Sequence, residues 1–461
     1  MSVNPLAPSW LKHPVDANAL VPAVWSRNSA RGANGELVVA GVGVSALVAE
    51  FGTPLFVLDE ADVRARAVEI REAFDRELAR VGSRAKVYYA GKAFLTMQVA
   101  AWMVEAGLNV DVCSGGELAV ALGAGVDPVR IGLHGNNKSL AEIDRAVGVG
   151  VGAIVIDSLI EIERVAAAAG RHGRMQPVQL RVNTGVHAHT HEYLATARED
   201  QKFGITLADT PAAVAAIRSH ASLSFLGLHS HIGSQIFESE GFAEAAHRLF
   251  DVHAALLADG PVPELNLGGG FGIAYTSADE ALPVTEIARR FADIVRERAD
   301  ALGIPVPIIA VEPGRAVIGP STATVYEVGT VKDVEVGDSV RKYVSIDGGM
   351  SDNVRPALYA ADYSARIASR VSGADPALVR VAGKHCESGD IVVHAEYLPG
   401  DVAPGDLLAV PATGAYCWSL ASNYNYLARP PVVAVRDGLA RLLVRGETEA
   451  DLLARDTGVQ R

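Results

Sequence analysis

Short apolar runs alternate with amphipathic stretches through the middle of the chain. Eight runs are rich in β-branched, leucine and aromatic residues, a composition typical of strands that are buried on both faces. They are KVYYA (86–90), LNVDV (108–112), VRIGL (129–133), GAIVI (152–156), VQLRV (178–182), SFLGLHSH (224–231), ELNL (264–267) and PIIAV (307–311). Stretches with helical periodicity lie between them, including TMQVAAWMVEAG (96–107) and PVTEIARRFADIVRERADALG (283–303). This alternation predicts a parallel sheet whose strands are joined by helices.

Eight such units in this length predict an α/β fold of the (β/α)8 barrel type over residues 63–317. An open doubly wound sheet is the structural alternative. That arrangement needs a switch point between the strands, and no GxGxxG pattern follows the first strand. We therefore expect a closed barrel, with functional side chains at the carboxyl ends of its strands.

After Val317 the runs become shorter and the long helical patterns end. Short β-branched runs separated by turn residues predict an all-β, barrel-like domain over residues 318–461. Two earlier runs, ELVVA (36–40) and PLFVLDE (54–60), have no place in the central barrel. We expect residues 35–62 to pair with the C-terminal β domain, and residues 1–34 to form an irregular arm.

Composition and charge narrow the class of protein. The chain has 461 residues, of which 49% are hydrophobic and 21% charged, as in globular proteins. The net charge of −13 argues against nucleic acid or an anionic membrane as the main partner. Three cysteines are too few for a disulfide framework, and no secretory signal is visible. We expect a cytoplasmic protein without a membrane span.

Polar or glycine-rich clusters follow all eight predicted strands. In chain order they are Lys92; Asp111 and Ser114; HGNN (134–137); Asp157; Arg181 and Asn183; His229, His231 and Ser234; Gly268–Gly270; and Glu312–Arg315. Any one of them could be an ordinary turn or helix cap. Because the carboxyl ends of barrel strands share one rim, their coincidence indicates an active site.

The residue types on this rim suit an aldehyde cofactor. Burial next to a strand would lower the pKa of Lys92 and leave the neutral amine that a Schiff base requires, although a lysine that reaches solvent is the plainer alternative. Glu312 ends an apolar strand and needs a partner, which the protonated ring nitrogen of pyridoxal phosphate would supply. The glycines 268–270 and the turn at Gly314 suit a phosphate.

A metal site is the competing interpretation of the histidines. His229 and His231 lie on one face of a strand, and HAHTH (187–191) adds further histidines. A third ligand is not evident from the sequence, and a metal would not account for Lys92. We expect no metal.

Twelve motifs from YYAGKAF to GAYCWSLASNYN resemble, in order, those of the diaminopimelate decarboxylases, which belong to the pyridoxal-phosphate decarboxylases of the alanine-racemase-type barrel group. They include DVCSGGEL, HGNNK, GLHSHIGSQ, LNLGGGFGIAY, VEPGRA, DGGMSDNVRPALY and HCESGD. The resemblance covers about residues 35–447. It implies pyridoxal 5'-phosphate as the cofactor and conversion of meso-2,6-diaminopimelate to L-lysine and carbon dioxide, the last step of lysine biosynthesis. It also implies a homodimer with shared active sites.

The resemblance assigns roles residue by residue. It implies Lys92 as the Schiff-base lysine, His231 stacked on the cofactor, Glu312 at the ring nitrogen, and Cys386 as a proton donor from the partner subunit. The implied cofactor contacts are Lys92, Asp111, His231, Ser234, Gly269, Gly270, Glu312, Pro313, Gly314, Arg315 and Tyr416. The implied substrate contacts are Arg315, Arg355, Tyr359, Glu387 and Tyr416. Gly91 stands where relatives often carry alanine or serine, a change that we expect to be tolerated.

Residue chemistry favours this substrate over its competitors. Glu312 would keep the ring nitrogen protonated, which favours decarboxylation over racemisation. Arg355 can bind the far carboxylate of the substrate in a bidentate fashion, and Glu387 can bind its far amine. An ornithine-type substrate lacks that carboxylate. Another basic-amino-acid decarboxylase is the main alternative, followed by a non-catalytic cofactor carrier and a barrel metal hydrolase.

Overall fold

The chain divides into two compact units in a computed structural model that describes residues 4–186, 202–231 and 240–458. The first, here called the β unit, combines Met1–Val63, Ile273–Ala281 and Ile318–Arg461. The second, the barrel unit, combines Arg64–Gly272 and Leu282–Val317. In the described parts of the chain, no helix has both the length and the apolar character that a bilayer crossing needs.

The N-terminal part of the β unit is irregular at first but firmly packed. Residues 4–28 contain no helix or strand, yet Leu11 packs against Leu378 and Tyr397. The elements that follow are β1 (Ser29–Arg31), β2 (Leu37–Val39), β3 (Val42–Gly43), α1 (Val44–Phe51) and β4 (Leu55–Asp59).

The two N-terminal runs that we assigned to the β domain differ in their pairing. Strand β4, from the PLFVLDE run, pairs with strands in the main sheet of the β unit. Strand β2, from ELVVA, pairs instead with β1 and β3 in a separate antiparallel sheet. The reason is local, because Gly35 and Gly41 adopt the positive φ values of 83° and 88° that turn the chain back on itself.

Eight parallel strands of the barrel unit form a closed ring. The strands of this unit are β5 (Ala85–Ala90), β6 (Asn109–Val112), β7 (Ile131–Leu133), β8 (Ala153–Ile156), β9 (Gln176–Asn183), β10 (Ile205–Thr206), β11 (Leu223–His229), β12 (Glu264–Asn266) and β13 (Ile308–Val311). Neighbours pair in parallel, β13 closes on β5, and β10 only extends β9 outside the ring. This confirms the predicted barrel and excludes the open sheet. All eight predicted runs form ring strands.

Helices follow the strands, and side chains cap the N-termini of some of them. They are α2 (Glu60–Arg80), α3 (Met97–Glu105), α4 (Gly115–Gly123), α5 (Leu140–Val149), α6 (Leu159–Arg171), α7 (Thr210–Ser219), α8 (Glu240–Leu256), α9 (Val284–Leu302) and α10 (Arg315–Ile318). Ser114 accepts a hydrogen bond from the Glu117 N–H and so caps α4. Phe74, Phe271 and Phe291 pack with ring centres 5.7–5.9 Å apart and support the loop after β12.

The C-terminal part of the β unit is a twisted, mostly antiparallel sheet. Its elements are β14 (Thr322–Val336), β15 (Ser339–Ile346), α11 (Arg355–Tyr359), β16 (Arg366–Ile367), β17 (Pro376–Ala382), β18 (Ile391–Pro399), β19 (Leu407–Val410), β20 (Val432–Arg436), β21 (Leu439–Val444) and α12 (Glu449–Ala454). The main path runs β18-β17-β15-β14-β4-β20-β21, and β19 pairs with β14 and β16. This arrangement confirms the predicted sheet-rich C-terminal domain.

One short segment inside the predicted barrel range belongs to the β unit. Residues Ile273–Ala281 lie there because Tyr275 packs its ring against that of Tyr363, with centroids 5.0 Å apart. The Ser364 N–H also donates to the Tyr275 carbonyl at 3.2 Å. Aromatic packing therefore makes this segment part of the β unit and not of the barrel unit.

Candidate active site

A cluster of buried polar side chains lies at the carboxyl ends of five barrel strands. Glu312 follows β13, and its Oε1 lies 3.0 Å from His229 Nε2 and 3.5 Å from His134 Nε2. Asn266 Nδ2 donates to the same oxygen at 2.8 Å. Asp111 Oδ1 lies 3.2 Å from His134 Nε2. We call these five residues the rim cluster.

Burial and neighbouring charges concentrate the negative charge of the rim cluster on one residue. Burial lowers the pKa of His134 to about 4 and also lowers the pKa of His229, so both imidazoles are neutral at pH 7. Burial favours protonation of Glu312, but the adjacent His229 and His134 outweigh it and hold the pKa of Glu312 well below its usual range. Burial, followed by the charge of Glu312, raises the pKa of Asp111 well above its usual range.

Lys92 lies on this rim, in a single 3-10 turn (Gly91–Ala93) that follows β5. Its side chain is exposed, which corrects our expectation of a buried lysine. Its charge nevertheless reaches the buried groups of the rim, since it partly offsets the rise in the pKa of Asp111 that burial causes. Burial is the main cause that lowers the pKa of His231, and the nearby charge of Lys92 lowers it further.

Gly91 fits closely against the neighbouring strand. A Cβ at this position would lie 2.8 Å from the Asp111 carbonyl oxygen. An alanine or serine here would therefore require the backbone of β5 or β6 to move, so the substitution is less neutral than we expected.

The loop after β12 brings backbone amides close to the rim. The Gly269 N–H donates to His231 Nδ1 at 3.1 Å. Gly268 and Gly270 have φ values of 70° and 100°, in the region that favours glycine. A Cβ on Gly269 would lie 2.2 Å from the Glu312 carbonyl oxygen. The three glycines therefore expose their backbone without side chains, which suits the close approach of an anionic group.

The remaining predicted cofactor contacts of the barrel unit flank Glu312. Pro313, Gly314 and Arg315 are buried, and a Cβ on Gly314 would lie 2.8 Å from the Ala90 carbonyl oxygen. Ser234 and the HAHTH segment lie outside the described residues.

Arg355, at the start of α11 in the β unit, lies in a buried aromatic setting. It is 2% exposed, and its Nη1 donates to the Tyr363 hydroxyl at 2.6 Å. Its guanidinium carbon lies 4.7 Å from the centre of the Tyr275 ring. No carboxylate among the described residues pairs with Arg355. A buried guanidinium with donors to spare suits a carboxylate ligand. Tyr359 ends the same helix and is half-buried.

Cys386 and Glu387 lie on an exposed loop with a fixed base. The buried His385 holds Ser351 Oγ at 2.8 Å through Nε2 and Asn425 Oδ1 at 2.9 Å through Nδ1. The loop projects from this base, since Cys386 and Glu387 are both exposed.

Asp390 closes the other end of the same loop. Its carboxylate accepts the Met350 N–H at 2.6 Å and the His385 N–H at 2.8 Å. These bonds join the loop of Cys386 and Glu387 to the segment that leads into Arg355.

Tyr416 completes the predicted set within the β unit. Its φ of 63° is uncommon for a residue other than glycine, and such conformations concentrate at functional sites. The next residue, Cys417, is buried with its Sγ 3.5 Å from the Tyr363 hydroxyl.

Sequence reasoning missed Asn266 and the part that His134 takes in the rim cluster. Asn266 lies inside the ELNL run, where a polar residue in a buried strand was a usable signal. The ligand atoms of His134, His229 and Glu312 lie within 4.8 Å of one another, close enough to share a cation. This group differs from the His229 and His231 pair that we considered from sequence.

Comparisons with known proteins agree on one family. Residues 61–319 match the family described as pyridoxal-dependent decarboxylase, pyridoxal binding domain. The chain is 52% identical over 444 residues to the diaminopimelate decarboxylase of Mycobacterium tuberculosis (strain ATCC 25618 / H37Rv), covering 94% of this chain and 98% of the relative. It is 42% identical over 440 residues to that of Bacillus subtilis (strain 168), covering 93% and 97%.

A solved structure agrees with these sequence relatives. The diaminopimelate decarboxylase of M. jannaschii in complex with L-lysine matches with a TM-score of 0.86 and 29% identity. The match covers 94% of this chain and 98% of the solved one.

The buried His134 makes stability depend on pH. Because the pKa of His134 falls from 6.5 to about 4 on folding, the unfolded chain binds more protons between these pH values. The free energy of unfolding should therefore fall as the pH falls through this window, by up to about 3 kcal/mol from this residue. His134→Gln should remove that share and flatten the slope in urea unfolding followed by circular dichroism.

A surface substitution provides the control for this measurement. His220→Gln, on a partly exposed histidine paired with Glu163, controls for the loss of a histidine elsewhere in the barrel unit. A slope in His134→Gln equal to that of the wild type would contradict the assignment.

Proposed function

The chain belongs to the diaminopimelate decarboxylase family of pyridoxal-dependent decarboxylases, and we propose how its own residues divide the work of turning meso-2,6-diaminopimelate into L-lysine and carbon dioxide. The observation that carries this assignment is the buried carboxylate of Glu312 on the rim that also holds Lys92. Roles for the individual residues follow from their surroundings.

The barrel rim fits pyridoxal phosphate. The carboxylate of Glu312, with its low pKa, would hold the protonated ring nitrogen. The amine of Lys92 would hold the aldehyde carbon, and the backbone of Gly269, Gly270 and Gly314 would hold the phosphate where a Cβ has no room or φ is positive. When bound, the cofactor supplies an electron sink for the electron pair left behind as carbon dioxide departs.

Glu312 would keep the ring nitrogen of the cofactor protonated, which makes this sink effective. Its carboxylate stabilises a cation at the ring nitrogen, and Asn266 donates a hydrogen bond that favours the ionised carboxylate. His229 and His134 lie beside the same carboxylate, with their Nε2 atoms 3.0 Å and 3.5 Å from Glu312 Oε1. His231, held by the Gly269 N–H, would lie against the ring.

Residues of the β unit would recognise the substrate and finish the reaction. Arg355 would bind the far carboxylate and Glu387 would bind the far amine. Separate residues would therefore recognise the negative and the positive charge at that end of the substrate. Arg315, Tyr359 and Tyr416 would complete the substrate contacts. The thiol of Cys386 would donate a proton to the carbon that has lost carbon dioxide.

We place Cys386 and Glu387 in the active site of a partner subunit within a homodimer. Their loop is exposed while its base is pinned by His385. Tyr424 stacks on His385 with ring centroids 5.1 Å apart. Tyr424 is 42% exposed and Tyr426 71% exposed, so aromatic surface lies beside the loop. Exposed apolar surface of this kind suits contact with a second copy of the chain.

A cytoplasmic location is consistent with the thiols. In the described residues, Cys113, Cys386 and Cys417 are all free, which suits a reducing compartment.

The aromatic setting of Arg355 leads to a test of substrate choice. Arg355→Ala would leave the far carboxylate of diaminopimelate unpaired, which should cost about 2–5 kcal/mol of transition-state stabilisation. This loss corresponds to a fall in kcat/KM of roughly thirtyfold to several thousandfold. Lysine or ornithine, turned over as weak substrates, should lose little. Arg436→Ala, at an exposed arginine of the same unit, is the control. Equal losses for both kinds of substrate would make Arg355 a structural residue.

The projecting loop leads to a test of the dimer. Lys92→Ala and Glu387→Ala should each be nearly inactive as homodimers. If subunits exchange, half of the dimers are mixed, and each of these has one intact site and one with both defects. Lysine production should then recover to about a quarter of the wild-type value.

Tagged subunits would verify that exchange has taken place. If Glu387 served the site of its own chain, every site would keep one defect. Exchange without recovery would therefore remove the shared site from this account.

A further inference from the structure

A chain of polar side chains crosses the interior of the barrel beneath Glu312. Lys86 donates to Glu264, and Gln179 Nε2 donates to the other oxygen of Glu264 at 3.2 Å. Asn266 Nδ2 donates to Gln179 Oε1 at 3.3 Å and to Glu312 Oε1 at 2.8 Å. Strands β5, β9 and β12 are not neighbours in the ring, so these contacts pass through its interior.

The direction of every hydrogen bond in this chain is determined. The Gly268 N–H, which can only donate, lies 2.9 Å from Asn266 Oδ1. That bond makes Oδ1 the acceptor and turns the amide nitrogen of Asn266 toward Glu312 and Gln179. Gln179 Oε1 must then accept, and its nitrogen faces the carboxylate of Glu264, which can only accept when ionised. Lys86, which can only donate, completes the chain.

Burial prevents the amides from turning over. Gln179 is 1% exposed, Asn266 2% and Glu264 3%. Reversing either amide would place two acceptors or two donors face to face away from water. Each unmade bond of that kind would leave a buried polar group unsatisfied, which is unfavourable. The Gly268 N–H and Lys86, which can only donate, therefore determine that the amide nitrogen of Asn266 faces Glu312.

We propose that Gln179, Glu264 and Lys86 are positioning residues that hold Asn266 with its amide hydrogen on Glu312, and so keep this carboxylate in the ionised form that binds the ring nitrogen of the cofactor. The inference rests on the proposed role of Glu312. Only Asn266 of the four touches Glu312, so the other three act at a distance through a continuous set of hydrogen bonds.

The test removes a link that does not touch Glu312. Gln179→Leu removes the amide between Asn266 and Glu264 with little change in volume. Gln176→Leu is the matched control, because Gln176 lies on the same strand, is 1% exposed, and its side-chain amide donates to the Val151 and Pro177 carbonyls. Cofactor-free protein is titrated with pyridoxal phosphate from about pH 5 to about pH 8, and the Kd is read from absorbance.

Gln179→Leu should weaken cofactor binding about fivefold, the value of one net hydrogen bond. The pH at which the cofactor is lost on acidification should also rise, since Glu312 becomes easier to protonate. Asn266→Leu should weaken binding on the order of tenfold or more, because it removes a bond to a charged group. Gln176→Leu should bind the cofactor as the wild type does at each pH, even if it unfolds more readily.

Three results would overturn the proposal. Gln179→Leu could match the wild type at every pH, or Gln176→Leu could weaken binding as much as Gln179→Leu. If Gln179→Leu does not fold, Gln179→Met replaces it. Cofactor binding by Gln179→Met that equals that of the wild type would also contradict the proposal. A Glu312→Gln variant with wild-type affinity and pH dependence would instead refute the proposed role of Glu312, which separates the two failures.

Discussion

The ionised, buried carboxylate of Glu312 is the constraint on which the barrel rim depends. A charge removed from water is costly unless hydrogen bonds and opposite charges surround it. His229, His134 and Asn266 place polar groups within 3.5 Å of this carboxylate from the ends of three strands. A closed ring of parallel strands brings such side chains to one point without long loops, because all carboxyl ends share one rim. Burial, followed by the charge of Glu312, raises the pKa of Asp111, so one ionised carboxylate is favoured over two in this cluster.

In the β unit, a loop that carries a charged residue is exposed to solvent while hydrogen bonds fix both of its ends. His385 and Asp390 bind the ends of the loop, and Cys386 and Glu387 remain exposed between them. The same bonds reach Met350 and Ser351, at the entrance to the segment of Arg355. These bonds fix the loop of Cys386 and Glu387 relative to the segment of Arg355 in the same chain.

Sequence patterns predicted the barrel because unbroken apolar runs are what strands buried on both faces require. The place of Lys92 directly after β5 followed from the same pattern, but hydrophobic periodicity does not encode how exposed a side chain is in the 3-10 turn that follows. Asn266 escaped notice since its neighbours are apolar, and its function appears only when strands distant in sequence meet across the ring. Two glycine turns account for the separate pairing of β2. The contact of Tyr275 with Tyr363 accounts for the place of Ile273–Ala281 in the β unit.

The protonation state of the cofactor's ring nitrogen tests this account most directly. Pyridoxal phosphate labelled with nitrogen-15 in the ring reports that state by its chemical shift when bound to the enzyme. If Glu312 holds the ring nitrogen as proposed, this nitrogen should be protonated at neutral pH in the wild type and unprotonated in Glu312→Gln. An unprotonated nitrogen in the wild type, or a protonated one in both proteins, would contradict it.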